Sequence, residues 1–203
     1  MESNESQIID NDGGGKPLKP CMEIYQLMKG FSEKWFIAGG WAIDLHIGNE
    51  TRLHSDIEIA IFRKDQLTLK TYLQGWAFKK VVHGEFQTWE NEYLKLPIHE
   101  IHAQLNNWEL EVLLNEMCWG KWLFRRDSRI FLPINEVYNY SKTGIPYLNP
   151  FVVLLFKLKN TRQKDHQDFI NVKPFLAYEE KKWLKEAILV HAPTHQWLGY
   201  LDN

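Results

Sequence analysis

The chain has 203 residues, 44% hydrophobic and 25% charged, enough for one well-buried core with room for a small second lobe. Its formal net charge of −2 supplies no general basic field, which argues against a nucleic-acid-coating role. The longest apolar run, FVVLLF at 151–156, is far too short to cross a bilayer, so no membrane partner is expected.

The opening MESNESQIIDNDGGGKP is acidic and polar, without the basic and apolar regions of a secretory signal, and residues 1–18 read as a disordered lead-in. Cys21 and Cys118 lie far apart with no metal-type spacing, which suits a reduced, cytoplasmic protein. In 21–33, Ile24, Leu27, Met28 and Phe31 recur at helical spacing. WFIAGG reads as a buried strand ending at Gly39 and Gly40, and WAIDLHIG as a short helix stopped by Gly48. After the polar loop NETRLHSD, DIEIAIF alternates and then becomes wholly apolar, as a central strand does. DQLTLKTYLQGW predicts a helix capped by Asp65 and ended by Gly75.

AFKKVVHG, FQTWENE, KLPIHEIHAQL and the alternating WELEVLL at 108–114 predict strands, and 119–147 carries mixed strand and turn signals. PFVVLLFKLKNTR and EEKKWLKEAILVH predict a helical last third. The fold class expected is α/β (α+β): a mixed sheet flanked by helices, with residues 19–118 as the core and 119–203 as a mixed, then helical, portion packed on it.

The chemistry concentrates in 35–63. Residues two apart on a strand share a face at roughly 6.5–7 Å, so Asp56 and Glu58 project together. Two adjacent anions repel, and a hard divalent cation such as Mg²⁺ resolves the repulsion. A D-x-E pair is commonly just a solvated strand face; here the following IAIF is apolar on both faces, which puts the acids at the end of a central strand. A third acid comes from WELEVLL, where Glu109 and Glu111 share a face and Glu111 lies nearer the apolar middle. The Gly39-Gly40 turn lets backbone N–H groups approach a phosphate at a helix start. Lys157, in the otherwise apolar FVVLLFKLK, needs water or an anion for its amine. Lys159, Arg162 and Lys164 add charge, while Asp165 and Asp168 read as partners of these bases or as helix caps. His99-x-x-His102 lies in an extended segment with no cysteine or acid to complete a zinc tetrahedron. The G-x-S-x-G, Walker A, G-x-G-x-x-G and CxxC patterns are absent.

The stretch GGWAIDLHIGNETRLHSDIEI resembles the signature of bacterial aminoglycoside (2″) and lincosamide adenylyltransferases, of the polymerase-β-like nucleotidyltransferase superfamily. The likeness continues through WELEVLLNE, WLFRRDSRI, GIPYLNPFVVLLFKLK and KDHQDF. It implies that Gly39 and Gly40 contact phosphate, that Asp56 and Glu58 are the first two metal ligands, and that Glu111 is the third and activates the acceptor hydroxyl. Arg52 and His54 match the loop before the acids, where they touch phosphate or shape the loop, and Lys157 matches a phosphate-neutralising helix position. The family often has aspartate where this chain has Glu58 and Glu111, and Glu109 is the alternative third acid.

The function expected is Mg²⁺-dependent transfer of a nucleoside monophosphate, AMP from ATP, to a hydroxyl of a small antibiotic-like acceptor, with two metal ions at the site. The rival readings are a toxin-type transferase acting on RNA or protein and a non-catalytic nucleotide-binding module. The aromatic segment Trp119–Phe131 is a candidate acceptor wall.

Overall fold

The computed structural model describes residues 18–201. The lead-in expected over 1–18 lies outside the described residues except for Leu18, which packs against the core. Helix α1 (Lys19–Met28) carries Pro20 in its first turn, where a missing N–H is harmless, and turns Cys21, Ile24 and Met28 inward. It is shorter than the spacing predicts, because Phe31 reaches the core from the turn that follows.

Strand β1 (Trp35–Ile37) is buried throughout, and helix α2 (Gly39–Ile47) follows at once. Gly48 ends that helix at φ +94, the left-handed conformation that glycine adopts without a Cβ penalty. Strand β2 (Glu58–Phe62) runs antiparallel to β1, with Phe36 opposite Ala60. A 3₁₀ turn over Arg63–Asp65 leads into α3 (Gln66–Tyr72). Asp65 does not cap this helix; its carboxylate accepts from Lys64 Nζ at 2.6 Å instead.

Strands β3 (Ala77–Val82), β4 (Glu85–Thr88), β5 (Glu100–Leu105) and β6 (Trp108–Cys118) pair antiparallel, β3 lying between β4 and β5, and β5 between β3 and β6. The far half of β6 carries β7 (Lys121–Leu123), which in turn pairs β8 (Phe131–Pro133). After β9 (Tyr138–Tyr140) and β10 (Pro146–Leu148), the ten-stranded sheet reads β4-β3-β5-β6-β2-β1-β10-β9, with β7 and β8 off this path. Two pairs are parallel, β2 with β6 and β1 with β10, so the sheet is mixed. The first of these pairs builds the site.

Helices α4 (Pro150–Lys157), α5 (Gln163–Val172), α6 (Tyr178–His191) and α7 (Leu198–Leu201) complete the chain. The expected long helix from Pro150 stops at Lys157, and Asn160 at φ +54 turns the chain away. Helix α5 buries Asp165, Asp168, Phe169 and Val172; with two acids on its inner face, apolar periodicity does not announce it. Helix α4 packs against α2, α5 and α6. The core runs through Ile37, Ile43, Ile59, Ile61, Val112, Val152 and Leu154, all fully buried, each worth about 1.5–3 kcal/mol of transfer free energy. No helix among the described residues is long and apolar enough to cross a membrane.

Candidate active site

Parallel pairing of β2 and β6 puts Glu58 opposite Glu111, while the Glu111 N–H donates to the Ile57 carbonyl at 3.1 Å. Asp56 lies in the loop just before β2 rather than within it, and is held there by Trp41, whose Nε1–H donates to the Asp56 carbonyl at 3.0 Å. The three acids line one cleft of about 460 Å³ together with Gly39, Gly40, Arg52, His54 and Lys157. All eight site residues expected from the sequence therefore meet in one place. Glu109 does not line the cleft; its side chain is 67% exposed and lies against His102.

The glycine turn is fitted tightly to the acid strand. The Ala38 N–H donates to the Glu58 carbonyl at 2.8 Å, and Gly39 sits at φ +58. A Cβ on Gly39 would fall on the Glu58 carboxylate, and one on Gly40 would run into Arg52 Nη2 and the His54 ring. Both positions exclude a side chain, Gly39 by conformation as well.

The electrostatics are those of too much negative charge in too little water. Burial, then Glu58, Glu100, Asp56 and Glu109, push the Glu111 carboxyl up to about 8. Burial also raises Glu58, with Asp56 adding to the rise and Lys157 opposing it. Three oxygen-donor side chains whose mutual repulsion the nearby cations offset only in part fit a hard divalent cation such as Mg²⁺. Glu111 has a second set of neighbours: one ligand atom each from Glu100, His102 and Glu111 lie within 4.8 Å of one another. Acids thus do stand beside His102: Glu100 lies two residues before it on β5, sharing its face, and Glu111 arrives opposite it through the strand register. His99 takes no part, lying 2.7 Å from the Pro97 carbonyl through Nδ1.

The loop between α2 and β2 is organised by Asp44, which is fully buried. Its Oδ1 accepts from the Thr51 N–H at 3.1 Å and the Thr51 hydroxyl at 2.6 Å, and its Oδ2 accepts from His54 Nε2 at 2.6 Å. The His54 ring packs on Trp41, centroids 4.3 Å apart. Arg52 is held by a two-point pair with Asp168, at 2.7 and 2.9 Å. Both loop residues line the cleft and also lock its rim to helices α2 and α5. Asp44 was visible only as the acid in W-x-x-D, with nothing to say that it faced inward.

Lys157 closes α4, where a cation suits the carbonyl end of a helix. Its Nζ lies 2.9 Å from Asp165 and 3.0 Å from Asp168. Asp165 also accepts from the Arg162 backbone N–H at 3.0 Å, capping α5. These acids pair with the neighbouring bases, as their spacing suggested. Lys159, Arg162 and Lys164 stand exposed at the same rim. None of the nine tryptophans lines the cleft; from Trp119–Phe131 only Arg125 and Arg126 do so, two residues the sequence reading passed over.

Paired acids on adjoining strands thus share one cleft with a glycine turn and with cations from the facing helices. The chain belongs to the aminoglycoside-2″-adenylyltransferase family, whose pattern residues 21–129 match. That match spans Asp56 as well as β2 and β6, and so all three acids. Among solved structures, the chain is similar to the lincomycin-bound lincosamide antibiotic adenylyltransferase LnuA, at 19% identity and TM-score 0.56 over 80% of this chain and 100% of that one. It is also similar to ANT(2″)-Ia in complex with adenylyl-2″-tobramycin, at 11% identity and TM-score 0.60 over 86% and 98% of the two chains. At these identities the two structures speak for the fold. No curated protein sequence matches the chain significantly.

Proposed function

We propose that the protein transfers AMP from ATP to a hydroxyl group of a small, antibiotic-sized acceptor in the cytoplasm. The observation that carries this reading is the β2–β6 register, which sets Glu58 against Glu111 in the cleft that Asp56 and the glycine turn also line. Asp56, Glu58 and Glu111 are the residues that would hold Mg²⁺, in all two ions. Bound there, the metal supplies Lewis-acid activation of the acceptor oxygen and charge neutralisation on the departing pyrophosphate.

The chain's own residues do the rest. The backbone at Gly39 and Gly40 offers N–H groups at the start of α2, where anionic phosphate is favoured. Lys157, Arg162 and Lys164 all lie within electrostatic reach of Glu58, which supports a triphosphate bound beside that acid. Glu111 takes the acceptor hydroxyl proton on its carboxylate, the one acid of the three that comes from β6. Arg52 and His54 hold the rim in place beneath the phosphates. The catalytic contribution is positioning and electrostatic complementarity.

The relatives' complexes with lincomycin and an adenylylated tobramycin make those two compound classes the first acceptors to try. The test is transfer of radiolabelled AMP from ATP with Mg²⁺ to lincomycin, to tobramycin and to bulk RNA. Labelling of a small acceptor, lost in Asp56→Ala, supports the reading. Labelling of RNA alone would replace it with the toxin-type transferase, and ATP binding with no transfer to any acceptor would favour a non-catalytic module.

A further inference from the structure

The cleft acids continue as a row across the sheet. Strand register sets Glu111 between Glu58 on β2 and His102 on β5, and His102 beside Lys79 on β3. Directly opposed residues share a face, and Glu100, two positions before His102, lies on it as well. One ligand atom each from Glu100, His102 and Glu111 lie within 4.8 Å of one another, with His102 Nε2 at 2.9 Å from Glu100 Oε1. The other imidazole nitrogen, Nδ1, lies 3.4 Å from Glu109 Oε1. The ring is held in place by Phe86, packed at right angles to it with centroids 4.7 Å apart. The Glu111 carboxylate makes no hydrogen bond or ion pair among the described residues. Lys79 does not supply one, since its amine stands over the Phe86 ring at 5.9 Å from the centroid.

We propose that Glu100, His102 and Glu111 form a second cation site, for a transition-metal ion of the Zn²⁺ class rather than for Mg²⁺. The nitrogen decides the class: imidazole suits zinc, cobalt and nickel, whereas Mg²⁺ takes oxygen ligands. Zinc bonds of about 2.0–2.2 Å put the ligand atoms of a tetrahedron roughly 3.3–3.6 Å apart. The three ligand atoms, 2.9 Å apart for one pair and within 4.8 Å for all, lie on that scale. Glu109 supplies the outer support. A carboxylate accepting the Nδ1–H leaves Nε2 bare toward Glu100, the tautomer that ligating histidines adopt. A lone pair then faces a carboxylate at 2.9 Å, and a cation between them removes the conflict. A proton on Nε2 is the rival, and it would leave the group without affinity for metal. Glu100 and Glu111 both line the cleft, which gives an ion its way in, and three protein ligands leave a fourth position for water. Glu111 is common to this set and to the oxygen-only set of Asp56 and Glu58; Glu100 and His102 belong to this one alone. Such a site stands whether or not the chain transfers nucleotides, since it needs neither ATP nor Asp56.

The test is titration of the full, metal-stripped chain with Co²⁺ alone, read by its visible absorption, followed by Zn²⁺ as competitor. Wild type, His102→Gln, Glu100→Gln and Asp56→Ala are compared, with far-UV circular dichroism as the check on folding. Wild type is expected to take up Co²⁺ with a visible band that Zn²⁺ bleaches and excess Mg²⁺ leaves in place. His102→Gln and Glu100→Gln should each weaken uptake by roughly tenfold or more, as loss of a direct ligand implies, while Asp56→Ala keeps the band. No Co²⁺ uptake by wild type, or equal uptake by folded His102→Gln, overturns the proposal. Uptake lost in Asp56→Ala and kept in His102→Gln overturns it too, by assigning the ion to the oxygen-only set. If His102→Gln does not fold, Glu100→Gln decides by the same criterion. Failure of AMP transfer would count against the transferase reading and leave each of these results standing.

Discussion

The carboxylate of Glu58 occupies the space in which a side chain on Gly39 would begin. Two sequence features sixteen or more residues apart are therefore one structural unit: the turn is glycine because the acid lies on it, at a φ of +58 that glycine alone adopts freely. Gly39→Ala is expected to cost about 1–2 kcal/mol from backbone conformation and to expel Glu58 as well. Thermal unfolding and Mg²⁺-dependent binding of an ATP analogue should both suffer. Normal nucleotide binding in a stable Gly39→Ala protein would show that the contact is dispensable.

Asp44 is the organiser of the cleft rim. Replacing it by alanine strands the Thr51 donors and His54 without an acceptor in a buried site, which should cost on the order of 3 kcal/mol. For a chain of this size that is roughly a 6–12 °C fall in Tm. Asp44→Asn keeps one acceptor oxygen and should fall between wild type and alanine. A Tm change below a degree in Asp44→Ala would rule out this role.

Glu111 should show stability and activity pulling apart. An acid whose folded pKa is raised, here from 4.5 to about 8, makes the folded state bind more protons than the unfolded one between those values. Stability without divalent metal therefore falls as pH rises from about 5 to about 8. Glu111→Gln lacks this fall, so at pH 8 and above the metal-free variant should melt a few degrees higher than wild type, for a gain of about 1 kcal/mol. Added Mg²⁺ should raise the wild-type Tm and leave the variant's unchanged, and AMP transfer should be lost. A variant that melts lower than wild type at pH 8 would contradict the repulsion.

Asp165 predicts the opposite pH signature. Burial alone would raise its carboxyl, but hydrogen bonds from Arg162 and Lys157 and the Lys157 charge hold it well below the usual carboxylate range. With the folded pKa depressed, its contribution is present above about 4 and is lost as pH falls through the range below that. Asp165→Asn should therefore be less stable than wild type at pH 7, and the two curves should converge in acid. Denaturant unfolding at a series of pH values reads this directly.

The order of helices and strands through β6, and the site acids themselves, were legible because they rest on local signals. IAIF after Asp56 marks a central strand, Gly48 ends a helix, and WELEVLL alternates. The meeting of Glu58 with Glu111 was a choice between two acids on one face, and only the β2–β6 register resolves it in geometry. What stayed hidden depends on long-range packing. Helix α5 buries acids rather than apolar residues, Lys157 ends its helix at a turn made by Asn160, and Arg125 looks like any surface arginine until Phe156 and Arg126 are set beside it. The acceptor wall expected over Trp119–Phe131 does not form: none of its aromatic residues lines the cleft and Trp119, 96% exposed, stands at the β6–β7 turn, while Trp41 holds the Asp56 backbone from outside the cleft.

The role proposed for Asp56, Glu58 and Glu111 is to hold the metal that brings ATP into the cleft. Calorimetry with Mg²⁺ and α,β-methylene-ATP on wild type and Asp56→Ala tests it most directly. Metal-dependent binding by wild type and a loss of at least tenfold in the variant are expected, since a charged ligand to the metal is removed. Equal, metal-dependent binding by both proteins would contradict it.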